Sequence, residues 1–196
     1  MKRLFTLLAL VLAALLALSA CAGDTPEGES SSTSESHNEQ DVAFAQGMIP
    51  HHQQAITMAQ MAHDRAGSPE VKQLAEEIEA AQAPEIETLT GWLKAWGEDV
   101  PSADAGDEMG GMDHGDMGDG DDGMMSDDRL EQLGQATGAE FDRMWLEGMI
   151  AHHQGAVTMA ESEIADGKNP DAIAMAQEIK ETQNTEIAEM KKLLGS

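Results

Sequence analysis

Cysteines, basic residues and strand-like patterns are scarce in this chain of 196 residues. The single cysteine, Cys21, rules out an intrachain disulfide bond. Lysines and arginines number 11 against 37 aspartates and glutamates, so the net charge of −26 disfavours nucleic acid as a partner and favours cations. Strand-like alternation is missing and β-branched residues are few, which indicates an all-α protein.

The N-terminal segment has the features of a secretory signal. Two basic residues precede an uncharged apolar run over residues 4–18, which is too short for a stable membrane span. The sequence Leu-Ser-Ala-Cys at 18–21 resembles a bacterial lipobox, in which the cysteine becomes the lipidated first residue of the mature protein. We therefore predict a lipoprotein signal peptide over 1–20, a lipid anchor at Cys21 and a flexible, acidic and Ser-rich tether over 21–39. The alternative is an ordinary signal peptide with an incidental cysteine. The expected location is extracytoplasmic, at the cell surface or in the periplasm.

The chain contains an internal repeat. The segment GMIPHHQQAITMA at 47–59 recurs as GMIAHHQGAVTMA at 148–160, at a constant offset of 101 residues. The same offset relates a second motif, QxxEI, which begins at Gln82 and again at Gln183. The chain is therefore a duplication of one unit.

Each unit has the pattern of two amphipathic helices. Apolar residues at steps of three, four and seven predict helices over 40–64 and 69–96, and again over 138–165 and 170–194. A short helix is predicted over 127–135, followed by a capping box formed by Thr137 and Glu140. Because each long helix must bury one face, we predict a single four-helix bundle. Its first helix pair lies within 40–97 and its second within 129–196.

Polar side chains of each unit face the predicted core. With about 100° per residue and Met48 at the centre of the apolar stripe, His52 lies roughly 40° to one side and His51 roughly 60° to the other. On the second helix, Gln82 and Glu85 lie within roughly 40° of the centre of its stripe. The second unit repeats these residues as His152, His153, Gln183 and Glu186. Burying them without partners would cost roughly a few kcal/mol per group, so something must satisfy them.

Three interpretations of this buried polar set remain open. The histidines could bond the glutamine and glutamate side chains directly, as a structural network. They could instead bind metal, because Met48 lies one turn before both His51 and His52, and thioether with imidazole is a ligand set for copper in either oxidation state. Adjacent histidines diverge by about 100°, which favours more than one site or ligands from several helices. The third interpretation is a di-metal oxidase, although only Glu85 and Glu186 are well placed and such sites use about four inward glutamates.

A disordered linker rich in Met, His, Asp and Gly is predicted over 98–128. Because glycine and aspartate forbid a packed core, its methionines are expected to have nothing to pack against. Part of it resembles the Met-x-x-Met-x-His-x-x-Met segments of extracytoplasmic copper-resistance proteins. Low-complexity bias is the alternative. The candidate accessory metal ligands are Met109, Met112, His114, Met117, Met124 and Met125.

The doubled GMI[PA]HHQxAxTMA motif, followed by QxxEI, resembles the domain-of-unknown-function family numbered 305. The resemblance covers about 40–97 and 137–196. That family includes CopM-like copper-binding proteins with a ferritin-like four-helix fold, so the resemblance implies this fold and copper. It implies metal ligands at Met48, His51, His52, Met58, Met149, His152, His153 and Met159. Further ligands or supporting groups would be Gln82, Glu85, Gln183 and Glu186.

The resulting expectation is a membrane-anchored copper-binding protein with no enzymatic activity. It would sequester copper, confer copper resistance or hand copper to another copper-handling protein. The alternatives are a ferritin-like di-metal oxidase and a structural bundle without metal.

Overall fold

The computed structural model describes residues 36–102 and 123–195, which form five helices. The helices are α1 (Glu39–Arg65), α2 (Pro69–Trp96), α3 (Asp127–Gln135), α4 (Gly138–Asp166) and α5 (Pro170–Leu194). Each predicted helix end lies within one residue of the observed end. The described residues contain no strand beyond an isolated bridge between Ala66 and Gly138. The prediction of an all-α, ferritin-like bundle of four long helices is confirmed.

Some predicted features lie outside the described residues. These are the signal peptide, Cys21, most of the tether, and the linker residues Met109, Met112, His114 and Met117. None of the described helices is both long enough and apolar enough to cross a membrane.

Three of the four long helices begin at a side chain that accepts hydrogen bonds from the free N–H groups of the first turn. These side chains are Asn38 for α1, Ser68 for α2 and Asn169 for α5. The predicted capping box at Thr137 and Glu140 is wrong, because Thr137 makes no side-chain cap bond. The next residue, Gly138, has a φ of 62°, and this left-handed conformation changes the direction in which the chain enters α4.

The end of the predicted tether packs against the bundle. The ring of His37 stacks on Trp96 with 4.6 Å between ring centroids. Asn38 caps α1, and its Nδ2 donates to the carbonyl oxygen of Asp166 at 2.9 Å. The residues directly before α1 therefore contact the bundle from His37 onward.

The helices pack as two hairpins that contact each other through the first helix of each hairpin. Helix α1 packs along α2, α4 packs along α5, and α1 and α4 pack against each other. The buried apolar side chains form two clusters. The Phe44 cluster includes Phe44, Met48, Ile49, Leu89, Leu93, Ala156 and Ile179. The Trp145 cluster includes Met58, Leu74, Ile78, Leu133, Phe141, Trp145 and Met149. Burying each large apolar side chain contributes roughly 1.5–3 kcal/mol, so the two clusters stabilise the two ends of the bundle.

Two aspartates at equivalent positions of the repeat brace the two hairpins. Asp41 on α1 accepts hydrogen bonds from the backbone N–H groups of residues 168 and 169, at 3.0 and 2.8 Å. Asp142 on α4 accepts hydrogen bonds from the N–H groups of residues 67 and 68, both at 2.9 Å. Through these charge-assisted bonds, the first helix of each hairpin holds the turn of the other hairpin.

Candidate metal centre

Four histidines form a buried polar layer across the middle of the bundle. His51 is 2% exposed, and His52, His152 and His153 are 0% exposed. The prediction that both histidines of each doublet face the core is confirmed. The Phe44 cluster lies on one side of this histidine layer and the Trp145 cluster on the other. The imidazoles are therefore placed between two apolar regions.

Two of the imidazoles are paired with carboxylates. His52 Nε2 lies 2.7 Å from Glu85 Oε2, and His153 Nε2 lies 2.7 Å from Glu186 Oε2. Because a carboxylate only accepts, Nε2 carries the proton, and Nδ1 of a neutral ring then has a free lone pair. Within residues 36–102 and 123–195, Nδ1 of His52 and Nδ1 of His153 are buried and have no hydrogen-bond partner. Each pair therefore directs an unused nitrogen lone pair into the bundle.

The other two imidazoles meet across the contact between α1 and α4. The ring centroids of His51 and His152 lie 3.7 Å apart, with an angle of 38° between the rings. Burial holds the pKa of His152 well below its usual range, and the charges that His51, His153 and His52 would carry lower it further. His152 is therefore neutral at neutral pH, which is the state in which imidazole binds metal.

The glutamines of the predicted site are buried beside these pairs but do not complete a network. Gln82 and Gln183 are each 2% exposed. In the part of the chain that the structure describes, neither side-chain polar atom of Gln82 has a hydrogen-bond partner, and Oε1 of Gln183 has none. The structural interpretation is therefore only half satisfied, because the histidines bond the glutamates while these amide groups stay unpaired.

The four methionines of the predicted site flank the histidine layer in pairs. Met48 is fully buried in the Phe44 cluster, and the half-buried Met159 packs against that cluster. Met58 and Met149 are fully buried in the Trp145 cluster. Each pair contains one methionine from each repeat, so thioethers lie on both sides of the imidazoles.

The described residues contain no preformed site of three imidazole, thiolate or carboxylate ligands. Among the described residues, no three His, Cys, Asp or Glu side chains converge closely enough to hold a metal ion. A metal bound to these imidazoles would need a thioether or an amide oxygen as a further donor, or a rotation of side chains. Imidazole and thioether donors are both present in the layer and next to it, and this donor set fits copper.

The expectation that the linker methionines have nothing to pack against is wrong for Met125. This residue is 4% exposed and belongs to the Trp145 cluster. Gln54 fixes its backbone, because Nε2 of Gln54 donates to the Met125 carbonyl at 2.9 Å and the Met125 N–H donates to Oε1 of Gln54 at 2.7 Å. Its neighbour Met124 is half-buried. Met125 is therefore a core residue. The side chain of Gln54 makes the hydrogen bonds of the Met125 backbone and so holds the residue in place.

The sequence analysis missed a buried pair of carboxyl groups at one end of the bundle. Asp41 and Glu163 are both 0% exposed. Burial raises the pKa of Glu163 to about 8, helped by the neighbouring Asp41 carboxylate. Burial also acts to raise the pKa of Asp41, but hydrogen bonds from Asn169, Glu163 and the neighbouring backbone outweigh it and hold that pKa below its usual value. Glu163 is therefore protonated and Asp41 ionised at neutral pH. The spacing could have indicated that Glu163 faces the core, since it lies three residues after the buried Ala160, but not that it meets Asp41.

The chain is similar to one protein family and to several solved structures, some of which hold metal. The family model described as "Domain of unknown function (DUF305)" matches residues 41–194. A DUF305 protein of Streptomyces coelicolor, described as secreted, has a similar structure with a TM-score of 0.68 and 32% identity, over 80% of this chain and 92% of that chain. The Cu(II)-bound form of CopM is similar with a TM-score of 0.65 and 35% identity, over 79% of this chain and 95% of that chain. CopM structures in Cu(I)-bound, Ag-bound and apo forms are also similar.

A curated relative matches a shorter stretch. The uncharacterized protein L153 of Acanthamoeba polyphaga mimivirus is 42% identical over 53 residues, which make up 27% of this chain. The chain spans about a third of the length of that protein, since the match covers 35% of it.

Proposed function

Because the chain belongs to the DUF305 family, we propose that it is an extracytoplasmic copper-binding protein that sequesters copper or hands it to another copper-handling protein. The similarity to CopM in copper-bound forms supports the ligand, and the similarity to a secreted protein supports the location. The proposed role is not catalytic. Di-metal oxidase sites of ferritin-like bundles use about four clustered glutamates, whereas Glu85 and Glu186 are each tied to a different imidazole.

The observation that carries this proposal is the pair of buried Nδ1 atoms on His52 and His153. Each ring donates its Nε2 proton to a carboxylate, which fixes the ring orientation and makes Nδ1 a better metal ligand. Metal-bound imidazoles usually donate their other ring nitrogen to a carboxylate or a carbonyl in this way. Both Nδ1 atoms are buried, so bulk solvent does not contact their lone pairs.

The methionine pairs beside the layer extend the range of copper states that the protein can hold. Thioether sulfur prefers Cu(I), while imidazole accepts both Cu(I) and Cu(II). Met48 and Met159 lie on one side of the layer, and Met58 and Met149 lie on the other. We infer that copper is bound at the boundary between the imidazoles and these thioethers.

Copper titration of the full-length protein tests this function. We compare the double variant His52→Gln/His153→Gln with the control His63→Gln, which changes an exposed histidine on α1. Glutamine retains hydrogen-bonding capacity but is a poor copper ligand. In the wild-type protein and the control, a hundredfold excess of free copper over Kd should stabilise the fold by about 3 kcal/mol. The double variant should lose most of this stabilisation while remaining folded without copper.

The competing structural interpretation predicts a different result. If the histidines serve only the bonds to Glu85 and Glu186, the double variant should lose stability without copper and should show no copper-specific defect. A variant lacking residues 103–120 tests the accessory linker ligands and stops short of the segment that holds Met125. If that deletion removes all copper binding while the double variant binds normally, the histidine assignment is wrong.

Membrane attachment through Cys21 is a separate part of the proposal. It is supported by the lipobox-like sequence at 18–21. The wild-type protein should fractionate with membranes, and Cys21→Ser should move it to the soluble fraction. Equal membrane association of both proteins would contradict the lipid anchor.

A further inference from the structure

A cleft between α2 and α5 lies beside the histidine layer. Its outer part encloses about 260 Å³ and includes Thr88 and Met175 in its walls. Its inner part is a cavity of about 10 Å³, which has room for a single water-sized sphere. Glu85 lines both parts, so the two adjoin at this residue, and Glu85 also bonds His52. The cleft therefore ends beside the imidazoles.

Amide groups without partners line the inner cavity. Gln82 and Gln183, which both face it, are each 2% exposed. Within the described residues, both polar atoms of the Gln82 side chain and Oε1 of Gln183 lack hydrogen-bond partners. Leaving such groups buried and unsatisfied costs roughly 1–3 kcal/mol each. This cost indicates that a water molecule or an ion occupies the cavity.

Carboxylates complete the lining of the same cavity. Glu85 and Glu186 line it from opposite helices, and each uses one oxygen to accept the hydrogen bond of an imidazole. The repeat offset of 101 residues relates Gln82 to Gln183 and Glu85 to Glu186, so the two hairpins contribute the same two donors. Glu178 adds a further carboxylate to the outer cleft. The cavity therefore offers oxygen atoms and negative charge.

This donor set differs from that of the histidine layer and its methionines. Carboxylate and amide oxygens suit hard divalent cations such as Mn(II) and can also ligate Cu(II), whereas thioethers select Cu(I). We propose that the α2–α5 cleft is a distinct oxygen-donor site for a divalent cation, built from Gln82, Glu85, Gln183 and Glu186, through which Cu(II) reaches the imidazoles. The access role rests on the proposed copper function, while the cation site itself does not.

The test uses the full-length protein and three probes, Mn(II), Cu(II) and Cu(I). The cavity variant Gln82→Leu/Gln183→Leu removes the amide donors and leaves both His–Glu pairs intact. The control variant Gln73→Leu/Gln177→Leu makes the same changes at exposed positions on the same two helices. Both double variants retain the acidic linker over 98–128, so cations bound by the linker contribute equally to the two measured affinities. The cavity variant should bind Mn(II) and Cu(II) at least about tenfold more weakly than the control and bind Cu(I) equally.

Each other outcome has a defined meaning. Equal Mn(II) and Cu(II) affinities in the two double variants would overturn the proposal, since the cavity would then hold only water. Parallel loss of Cu(I) binding would also overturn it, because the cleft would not be distinct from the histidine layer. Cavity-dependent Mn(II) binding by a protein that binds no copper would support the cation site and refute the copper function.

A measurement on the wild-type protein covers the case in which the cavity variant does not fold. Substoichiometric Mn(II) should broaden the NMR signals of the side-chain amides of Gln82 and Gln183 more strongly than those of Gln73 and Gln177. Equal broadening of the two pairs would overturn the proposal.

Discussion

The two hairpins of the bundle repeat the same buried donors and surround them differently. The His52–Glu85 and His153–Glu186 contacts are both 2.7 Å, and Gln82 and Gln183 are equally buried. All of these pairs are related by the same offset of 101 residues. The shared part of the two hairpins therefore includes the proposed metal ligands.

The differences lie outside the His–Glu pairs and the glutamines. Gly148 in the second hairpin is covered by Met125, whereas its counterpart Gly47 contacts Met159. The buried Glu163 occupies the position that corresponds to Ala62 in the first hairpin. The duplication thus keeps the donor layer symmetric, while residues above and below it make the two ends of the bundle unequal in stability and in pH dependence.

The largest expected effect comes from Met125, which has no counterpart in the first hairpin. Met125→Ala removes a buried side chain from the Trp145 cluster and should lower the free energy of unfolding by about 2–5 kcal/mol. Met124→Ala, at the half-buried neighbouring position, should have a smaller effect. Urea unfolding followed by circular dichroism measures both. Equal losses would show that the Met125 side chain is not part of the core.

Glu163 should make the stability of one end of the bundle depend on pH. Its pKa in the folded state is about 8, against an ordinary value near 4.5, so the folded protein holds a proton that the unfolded chain has released between these values. Stability should therefore fall as pH rises from about 4.5 to about 8, by at most about 1.4 kcal/mol per pH unit from this group.

The variant Glu163→Gln isolates this contribution. Glutamine does not titrate, so the difference in unfolding free energy between wild type and variant should change across that pH range. Burial of neutral His152 should lower the free energy of unfolding as pH falls below the usual histidine pKa. This contribution is the same in the wild type and in Glu163→Gln, so it cancels in the difference between them. A difference that stays constant with pH would contradict the raised pKa.

The smallest expected effect compares the equivalent glycines of the two hairpins. Gly47→Ala should stabilise α1 by about 0.5–1 kcal/mol, because alanine favours helix and the new methyl would lie 3.5 Å from Sδ of Met159, an ordinary contact. Gly148→Ala should lack this gain, because its methyl would overlap Cε of Met125. In a Met125→Ala background the gain at 148 should return. The same gain at both glycines in the wild-type background would show that Met125 does not lie over Gly148.

Much of this arrangement could be predicted from local sequence, because it depends on helical periodicity. The helix ends and the inward direction of His51 and His52 follow from the positions of apolar residues along single helices. The close contact of His51 with His152 could not be predicted this way, since it depends on how α1 and α4 are rotated against each other.

The errors and omissions have the same origin. Met125 was assigned to the linker because Gly and Asp surround it, but its packing is fixed by Gln54, which is 71 residues away in the chain. Glu163 was overlooked because a helical glutamate is usually exposed, and only the fold places it beside Asp41. In each case the deciding partner is remote in sequence, so local pattern carries little information about it.

The central claim is that copper binds at the histidine layer, and anomalous X-ray diffraction at the copper absorption edge tests it most directly. Crystals of the copper-loaded protein should show copper density within bonding distance of Nδ1 of His52 or His153, with methionine sulfur or a further imidazole as an additional ligand. Crystals of His52→Gln/His153→Gln should lose that density. Copper density confined to the linker between residues 103 and 122, with the histidine layer unchanged, would contradict the account.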